Sequence, residues 1–151
     1  IPEQNFHRVF VTERQMPAVF SIPIRVYYED TDAGGVVYYA NYLKFMERAR
    51  SEWLRAIGFE QNELSRNEGV LFAVRAAHVE YLRPARFNDQ LEVTVFLEKR
   101  GAASLTFRQE VRRADSVLCT GEIRVACLAA GDFTPCAIPA PVVARIERKP
   151  A

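Results

Sequence analysis

The sequence lacks the Cys and His spacings of a metal centre, the paired cysteines of a disulfide framework and the long apolar run of a membrane anchor. It has three cysteines without a CxxC pair and only two histidines in 151 residues, so neither a zinc spacing nor a disulfide pattern is predicted. Unpaired thiols are typical of a reducing compartment, so a cytoplasmic protein is expected. The chain has no apolar run of about 18 residues and no basic-then-apolar leader, so neither a transmembrane segment nor a signal peptide is predicted.

An excess of charge of one sign is also missing. Twenty Lys and Arg residues face nineteen Asp and Glu residues, giving a net charge of +1. A general nucleic-acid binder needs a field of excess positive charge, so the balance argues against that class of protein. A ligand with phosphates remains compatible, because a few local Arg or Lys residues suffice for one nucleotide. With 49% hydrophobic and 26% charged residues, the composition is that of one globular domain.

The chain does contain alternating and helical apolar patterns in a clear order. The predicted strands are residues 18–28, 71–82, 90–100, 104–113 and 117–129. Apolar residues at three- and four-residue steps predict a helix over 40–57, followed by Gly58 as its stop, and 60–68 fit a short second helix. The predicted class is therefore α+β, with a five-stranded antiparallel sheet wrapped around one long central helix.

The ends of the chain are expected to lie outside this domain. Residues 1–17 are interpreted as an N-terminal extension, 18–130 as the domain, and 131–151 as a Pro- and Ala-rich tail without regular structure. An open sheet has edges that need cover, so self-association is expected.

The acidic loop at residues 29–35, EDTDAGG, is the strongest candidate for chemistry. Most acidic loops are only solvated turns. Here, however, paired glycines permit positive φ and close approach of a ligand, and the predicted helix starts soon after with unpaired amide donors. Donor amides beside a carboxylate suit acyl transfer, because the amides stabilise an oxyanion while the carboxylate activates water or attacks the carbonyl.

The segment 25–50, RVYYEDTDAGGVVYYANYLKFMERAR, resembles the signature of the 4-hydroxybenzoyl-CoA thioesterase family, and in particular its Tol-Pal-associated (YbgC-like) branch. The resemblance continues through VEYLRPARFNDQLEV at 79–93 and covers roughly residues 23–129. It implies a hotdog fold and hydrolysis of acyl-CoA, or of an acyl carrier protein thioester, without a metal or redox cofactor. It also implies sites between two subunits of a homo-oligomer, a dimer or a tetramer built as a dimer of dimers.

The same resemblance implies roles for individual residues. The catalytic aspartate falls on Asp32, as general base or nucleophile. The backbone amide that polarises the thioester carbonyl falls on Tyr39, where the branch often has histidine. Lys99 and Arg100, at the turn between the third and fourth strands, fall where the family holds the CoA phosphates. With the glycines of the loop and the residues at the helix entry included, the predicted substrate-binding residues are Gly34, Gly35, Val36, Tyr38, Tyr42, Lys99 and Arg100.

Other interpretations of the residues remain as alternatives. Arg83 and Arg86 are weaker phosphate candidates, and Glu47 on the helix is a backup catalytic acid, although a structural pairing with its helical neighbours fits it better. A hotdog hydratase would need a histidine paired with an acid, and no suitable partner for His78 is apparent. A metal site on the D-x-D run and a non-enzymatic accessory or acyl-carrier-binding protein of a membrane-associated complex are the remaining alternatives.

Overall fold

Five strands and three α-helices form the part of the chain that the structure, a computed structural model, describes, which is residues 19–148. The extension predicted for residues 1–17 lies outside this range. In chain order the elements are β1 (Phe20–Arg25), a 3₁₀ turn (Tyr28–Asp30), α1 (Asn41–Ala56), α2 (Gln61–Glu68), β2 (Val70–Tyr81), β3 (Gln90–Arg100), β4 (Ser104–Arg113), β5 (Ser116–Ala129) and α3 (Ala140–Glu147). None of the described helices combines the length and the apolar character that a membrane crossing requires.

All five strands join one antiparallel sheet in the order β1-β3-β4-β5-β2. The predicted five-stranded antiparallel sheet is confirmed. Tight turns join β3 to β4 and β4 to β5. The longer connection after β2 carries the chain from the β2 edge across the sheet to β3, which lies next to the β1 edge. The strands β1 and β2 are therefore the two edges.

The helix α1 lies against one face of the sheet and supplies much of the core. Phe45, Met46 and Ala49 are fully buried and Tyr42 is nearly so, and each large apolar side chain buried in this way contributes about 1.5–3 kcal/mol. Leu43 also follows the three- and four-residue spacing of the helix, but it is 40% exposed. Tyr42 and Phe45 are buried beside Met46 and Ala49, so the buried face is rotated away from Leu43.

The first strand is shorter than predicted. Pairing with β3 covers Phe20–Arg25, and the chain then curls into the 3₁₀ turn because Oδ2 of Asp30 accepts a hydrogen bond from the amide of Tyr27 at 2.8 Å. A carboxylate that binds a nearby backbone amide competes with strand pairing, so the aromatic residues that extended the predicted strand belong to a turn.

The prediction of a tail without regular structure was wrong for α3. Pro139 and Pro141 flank the first residue of this helix, and proline is favoured in the first turn of a helix because its missing N–H is not needed there. Ile138 and Val142 are buried in the same core as the sheet. The prolines that suggested an irregular tail therefore begin a packed helix.

Candidate functional site

The acidic loop folds into a small hairpin in front of α1. The amide of Asp32 donates to the carbonyl of Val36 at 2.9 Å, and the amide of Gly35 donates to the carbonyl of Asp32 at 3.0 Å. Gly35 has φ of +79°, a conformation that glycine adopts without strain. The paired glycines thus allow the chain to reverse directly after the acid.

The carboxylate of Asp32 is exposed and partly held in place. Its Oδ1 accepts a hydrogen bond from the amide of Gly34 at 2.8 Å, and a Cβ built on Gly34 would lie only 3.2 Å from the same oxygen. Within residues 19–148 no hydrogen bond reaches Oδ2 of Asp32. One oxygen is therefore oriented by the loop while the other faces solvent as an acceptor.

The start of α1 is fastened to the same loop. The carbonyl of Asp30 accepts hydrogen bonds from the amide of Tyr38 and from the side-chain amide of Asn41, each at 2.9 Å. The helix begins at Asn41, so Tyr39 lies in the turn before the helix and not in its first turn. Among the described residues, none accepts a hydrogen bond from the amide of Tyr39 or of Ala40. Two unpaired donors thus stand next to the loop that carries Asp32.

An aromatic pocket adjoins these amides. The hydroxyl of Tyr81 donates to the carbonyl of Tyr39 at 3.1 Å, and the rings of Tyr39 and Tyr42 each meet Tyr81 edge to face. The hydroxyl of Tyr42 accepts a hydrogen bond from the amide of Ala85 at 3.0 Å. Burial raises the pKa of Tyr42 and of Tyr81, so both hydroxyls stay protonated at neutral pH. The pocket is lined by Val37, Tyr39, Tyr42, Tyr81, Leu82, Arg83 and Pro84.

Sequence reasoning missed Tyr81, which supports the backbone of Tyr39. The alternation of side chains along β2 could have pointed to Tyr81, because it places Tyr81 on the same face of the strand as Val79, the face that is turned toward the core. Tyr38 and Val36 lie at the acidic loop, because the amide of Tyr38 donates to the carbonyl of Asp30 and Val36 forms a β-bridge with Arg86. The last contact also brings Arg86, a weaker phosphate candidate, beside the acidic loop.

The other predicted phosphate ligands lie far from Asp32 in the same chain. The start of β3 adjoins the loop region, where the amide of Val26 donates to the carbonyl of Asp89. Lys99 and Arg100 end the same strand, and ten residue steps of about 3.3 Å separate the two ends by roughly 33 Å. Arg100 also forms an ion pair of 3.5 Å with Glu147 of α3. One copy of the chain therefore does not bring these cations and Asp32 together.

A second cleft of about 150 Å³ opens between α1 and the edge strand β2. Its walls are mainly apolar, and Trp53, Phe72 and Phe107 line it together with Glu47 and Arg50. Since α1 rises about 1.5 Å per residue, Arg50 lies roughly 17 Å from the Tyr39 amide along the direction of the helix axis. This apolar cleft is thus distant from the candidate catalytic carboxylate of Asp32.

Two polar pairs are set into this cleft. The hydroxyl of Ser51 donates to Oε2 of Glu47 at 2.5 Å, which confirms the structural pairing that the sequence favoured for Glu47. Arg50 donates to Oε1 of the fully buried Gln109 at 2.9 Å, and burial lowers the pKa of Arg50. Gln109 in turn donates to the carbonyls of Met46 and Thr94, so it joins α1, β3 and Arg50.

The residues behind the alternative functions are placed elsewhere. His78 pairs with Glu80 at 3.2 Å, and both side chains are exposed on β2, a pairing that sequence reasoning did not find. Within residues 19–148 no group of three or more His, Cys, Asp or Glu side chains is arranged to hold a metal ion.

Comparison with family models gives a match to the thioesterase-like superfamily over residues 26–146. This match extends beyond the range of resemblance expected from the sequence, which ended near residue 129, and includes most of α3. Two curated relatives match this chain over nearly the whole of their own length. The acyl-CoA thioesterase YbgC of Haemophilus influenzae is 42% identical over 83% of this chain and 92% of its own. The acyl-CoA thioester hydrolase YbgC of Escherichia coli O6:H1 is 44% identical over 86% of this chain and 97% of its own.

Solved structures share the architecture. A probable thioesterase from Bartonella henselae has a TM-score of 0.78 at 34% identity and covers 81% of this chain and 100% of its own. A hypothetical protein from Aquifex aeolicus has a TM-score of 0.79 at 28% identity over 85% of this chain and 99% of its own.

Proposed function

This chain belongs to the thioesterase-like superfamily, and from that membership we propose that it hydrolyses the thioester of acyl-CoA to the free acid and the thiol. Its sheet wrapped around a central helix is the hotdog fold. The relatives that match most of its length carry the names acyl-CoA thioesterase and acyl-CoA thioester hydrolase. An exposed carboxylate on a loop that is hydrogen-bonded to the segment with two unpaired amides is the observation in this chain that carries the proposal.

In this mechanism Asp32 is the general base or the nucleophile, and the Tyr39 amide is the electrophilic donor. The thioester carbonyl accepts a hydrogen bond from the amide of Tyr39, with Ala40 as its neighbour, so negative charge developing on that oxygen is stabilised. Asp32 either takes the proton of the attacking water or attacks the carbonyl carbon itself. On the water route, collapse of the tetrahedral intermediate expels the thiolate, which takes the proton back from Asp32. On the nucleophilic route, collapse expels the thiolate and leaves an acyl–Asp32 anhydride. Water then cleaves this anhydride, which releases the free acid, restores the carboxylate and supplies the proton that the thiolate takes up. The hydrogen bond from Gly34 supports a fixed orientation of the carboxylate throughout.

The proposal includes a homodimer built through β2. This strand is a sheet edge of twelve residues without proline, and Val74 near its middle is 53% exposed. The other edge, β1, contains Pro23, which cannot donate to a neighbouring strand. An unprotected edge pairs readily with another strand, and antiparallel pairing of two β2 strands around a two-fold axis is the closed arrangement.

Such a dimer would unite the two separated pockets. In antiparallel pairing the beginning of one β2, with Phe72 and Val74, lies opposite the end of the other, with Tyr81. The apolar cleft of one copy then adjoins the Tyr39 pocket of its partner and offers room for the acyl group. The turn with Lys99 and Arg100 also lies at the same height along the strands as the partner's catalytic loop. Four strand spacings, from β3 to the partner's β2, separate them by about 19 Å. This supports both cations as ligands for the CoA phosphates across the interface, with Gly34, Gly35, Val36, Tyr38 and Tyr42 nearer the thioester.

Further assignments follow from the same proposal. Free thiols at all three cysteines support a cytoplasmic location, and the resemblance of residues 25–50 supports action alongside the Tol-Pal system. The proposal also allows a tetramer of two such dimers, which sedimentation distinguishes from a dimer. It allows an acyl carrier protein in place of CoA, which substrates matched in acyl group but differing in carrier distinguish.

The test compares Asp32→Asn with Glu29→Gln, an exposed acid three residues earlier in the same loop. Steady-state release of free thiol is measured over a panel of short, long and aromatic acyl-CoAs. Asp32→Asn should lower kcat by about 10²–10⁴-fold with unchanged thermal unfolding and retained CoA binding, whereas Glu29→Gln keeps its activity. Undiminished turnover by Asp32→Asn would end the assignment of that residue. A wild-type protein that is inactive on the whole panel and on the matching acyl carrier protein thioesters would end the thioesterase proposal.

A further inference from the structure

Two thiols lie side by side in the last third of the chain. Sγ of Cys127, near the end of β5, is 3.8 Å from Sγ of Cys136, and both cysteines are free. Neither residue has a part in the proposed thioesterase chemistry. Cys127 is fully buried, whereas Cys136 is partly exposed, so only one of the two is accessible to a reagent in solution.

The backbone holds these cysteines directly opposite each other. After β5 the chain turns back on itself, with a β-bridge between Leu128 and Pro135 and a hydrogen bond of 3.0 Å from the amide of Cys136 to the carbonyl of Cys127. The amide of Cys127 donates to the carbonyl of Ala103 at 2.8 Å, so the two cysteines share one of the two hydrogen bonds of an antiparallel pair. The Cα atoms of a full pair lie about 5.5 Å apart, within the range of about 4.4–6.8 Å that disulfides span. The sulfurs, 3.8 Å apart, are therefore placed to join mainly by rotation of their side chains.

We propose that Cys127 and Cys136 are a peroxide-responsive oxidation site that closes to an intramolecular disulfide and fastens the C-terminal segment to the sheet. The Cys136 thiolate attacks hydrogen peroxide, breaks the O–O bond and becomes a sulfenic acid, while the released hydroxide takes a proton and leaves as water. The sulfur of Cys127 then attacks the sulfenic sulfur, and its proton leaves with the displaced hydroxide as a second water. Two thiols lose two electrons in total, and one peroxide is reduced to two waters.

The two cysteines have different parts in this sequence. Burial, aided by the neighbouring Cys136 sulfur, raises the pKa of the Cys127 thiol to about 12, so Cys127 stays protonated and is a poor first nucleophile. Cys136 is the accessible thiol and reacts first, and the 3.8 Å separation makes Cys127 the nearest resolving thiol. Cys119 is also buried and is the matched control, since no second thiol within the described residues pairs with it as Cys136 pairs with Cys127.

Closure would tie down the segment that leads to α3. Two residues beyond Cys136, the amide of Ile138 donates to the carbonyl of Ala102 at 2.9 Å, and Val142 of α3 is fully buried. A covalent link at Cys136 restricts the unfolded chain and so opposes detachment of this packed segment.

The test uses the purified, fully reduced protein with stoichiometric hydrogen peroxide, followed by alkylation with N-ethylmaleimide in denaturant and tryptic digestion. Both thiols fall in one tryptic peptide, residues 125–145, because Arg124 and Arg145 flank it. The expected product is this peptide with two hydrogens fewer and no alkyl group, restored by dithiothreitol. The oxidised protein should melt about 5 °C higher. Cys119→Ala should behave like the wild type and Cys136→Ser should show neither change.

Three results would overturn the proposal. Alkylation of both thiols after peroxide treatment would show that the pair does not oxidise. Conversion of Cys136 to sulfinic or sulfonic acid, or a disulfide between two chains, would show that Cys127 does not resolve it. An internal disulfide with an unchanged melting temperature would show that the link does not fasten the segment. Since no readout depends on thioester hydrolysis, these results are independent of the proposed function.

Discussion

The amide nitrogen of Gly34 lies 2.8 Å from Oδ1 of Asp32, and the hydrogen atom in place of a side chain on Gly34 is what leaves room for that oxygen. A Cβ at this position would approach Oδ1 to 3.2 Å, closer than ordinary van der Waals contact. The glycine after the acid therefore both donates to the carboxylate and limits where the carboxylate can sit.

Replacement Gly34→Ala should lower kcat with little loss of stability. The added methyl displaces the Asp32 carboxylate by a few tenths of an ångström, and misplacement of a catalytic group costs rate more than binding. A decrease of about 3–30-fold is expected in steady-state assays. Gly131→Ala, where a Cβ meets nothing within 4 Å, should leave kcat unchanged. Full activity of Gly34→Ala would mean that carboxylate orientation does not limit turnover.

Replacement Val74→Lys should break the proposed dimer while the subunit stays folded. Val74 is 53% exposed in the single chain, so the ammonium group is tolerated there, but at a paired β2 edge it would face the partner and disrupt the contact. Sedimentation velocity should show a shift to monomer. Phe133→Lys changes a residue that is even more exposed, at 64%, but lies outside β2, and this variant should keep the oligomer. A Val74→Lys protein of unchanged mass would move the interface away from β2.

The local patterns of the sequence predicted most elements because each element carries its own period. The stripe of α1 and the alternation of β3 are visible without any distant contact. The strand order was not predictable, since the neighbour of β1 is β3 and this pairing depends on how the chain crosses the sheet. Tyr81, Gln109 and the pair Cys127–Cys136 were missed for the same reason. Their roles come from contacts between segments far apart in sequence or from a reversal of the chain in a region with no periodicity.

Removal of two tyrosine hydroxyls should have unequal effects on stability. The Tyr42 hydroxyl is the acceptor for the amide of buried Ala85, so Tyr42→Phe leaves a buried N–H unsatisfied and should cost about 1–3 kcal/mol. Tyr81 is 46% exposed and its hydroxyl donates to the Tyr39 carbonyl. Water can replace that donor, so Tyr81→Phe should cost under about 1 kcal/mol. Chemical denaturation checks the order, and a larger loss for Tyr81→Phe would contradict it.

Alkaline pH should weaken the fold in part through Cys119. Burial raises the pKa of this thiol from 9.0 to about 12, so between these values the native state retains a proton that the unfolded chain has released. The unfolded state then binds fewer protons, and the free energy of unfolding falls as pH rises, by at most about 1.4 kcal/mol per pH unit for one group. Cys119→Ala should therefore show a flatter decline in urea midpoint between about pH 9 and 11. Parallel profiles of variant and wild type in that range would exclude the contribution, whereas below pH 9 parallel profiles are expected.

Gly121 of β5 sets how closely α1 approaches the sheet, and its replacement gives the sharpest test of the core. A Cβ on Gly121 would lie 2.7 Å from Sδ and 2.9 Å from Cε of Met46. A methionine end could usually swing aside, but Met46 is fully buried, so the helix or the sheet must move. Gly121→Ala should therefore cost about 1–3 kcal/mol through overpacking.

A double-mutant cycle separates this clash from a general intolerance of alanine at Gly121. Met46→Val removes both atoms that the new Cβ would meet, at the cost of a cavity. If the clash is the cause, Gly121→Ala costs less in the Met46→Val background than in the wild type, with a coupling energy of about 1 kcal/mol or more. Equal costs in both backgrounds would place the strain in the β5 backbone instead. Because Gln109 donates to the carbonyl of Met46, a displaced helix should also disturb Arg50, and with it the cleft proposed for the acyl group.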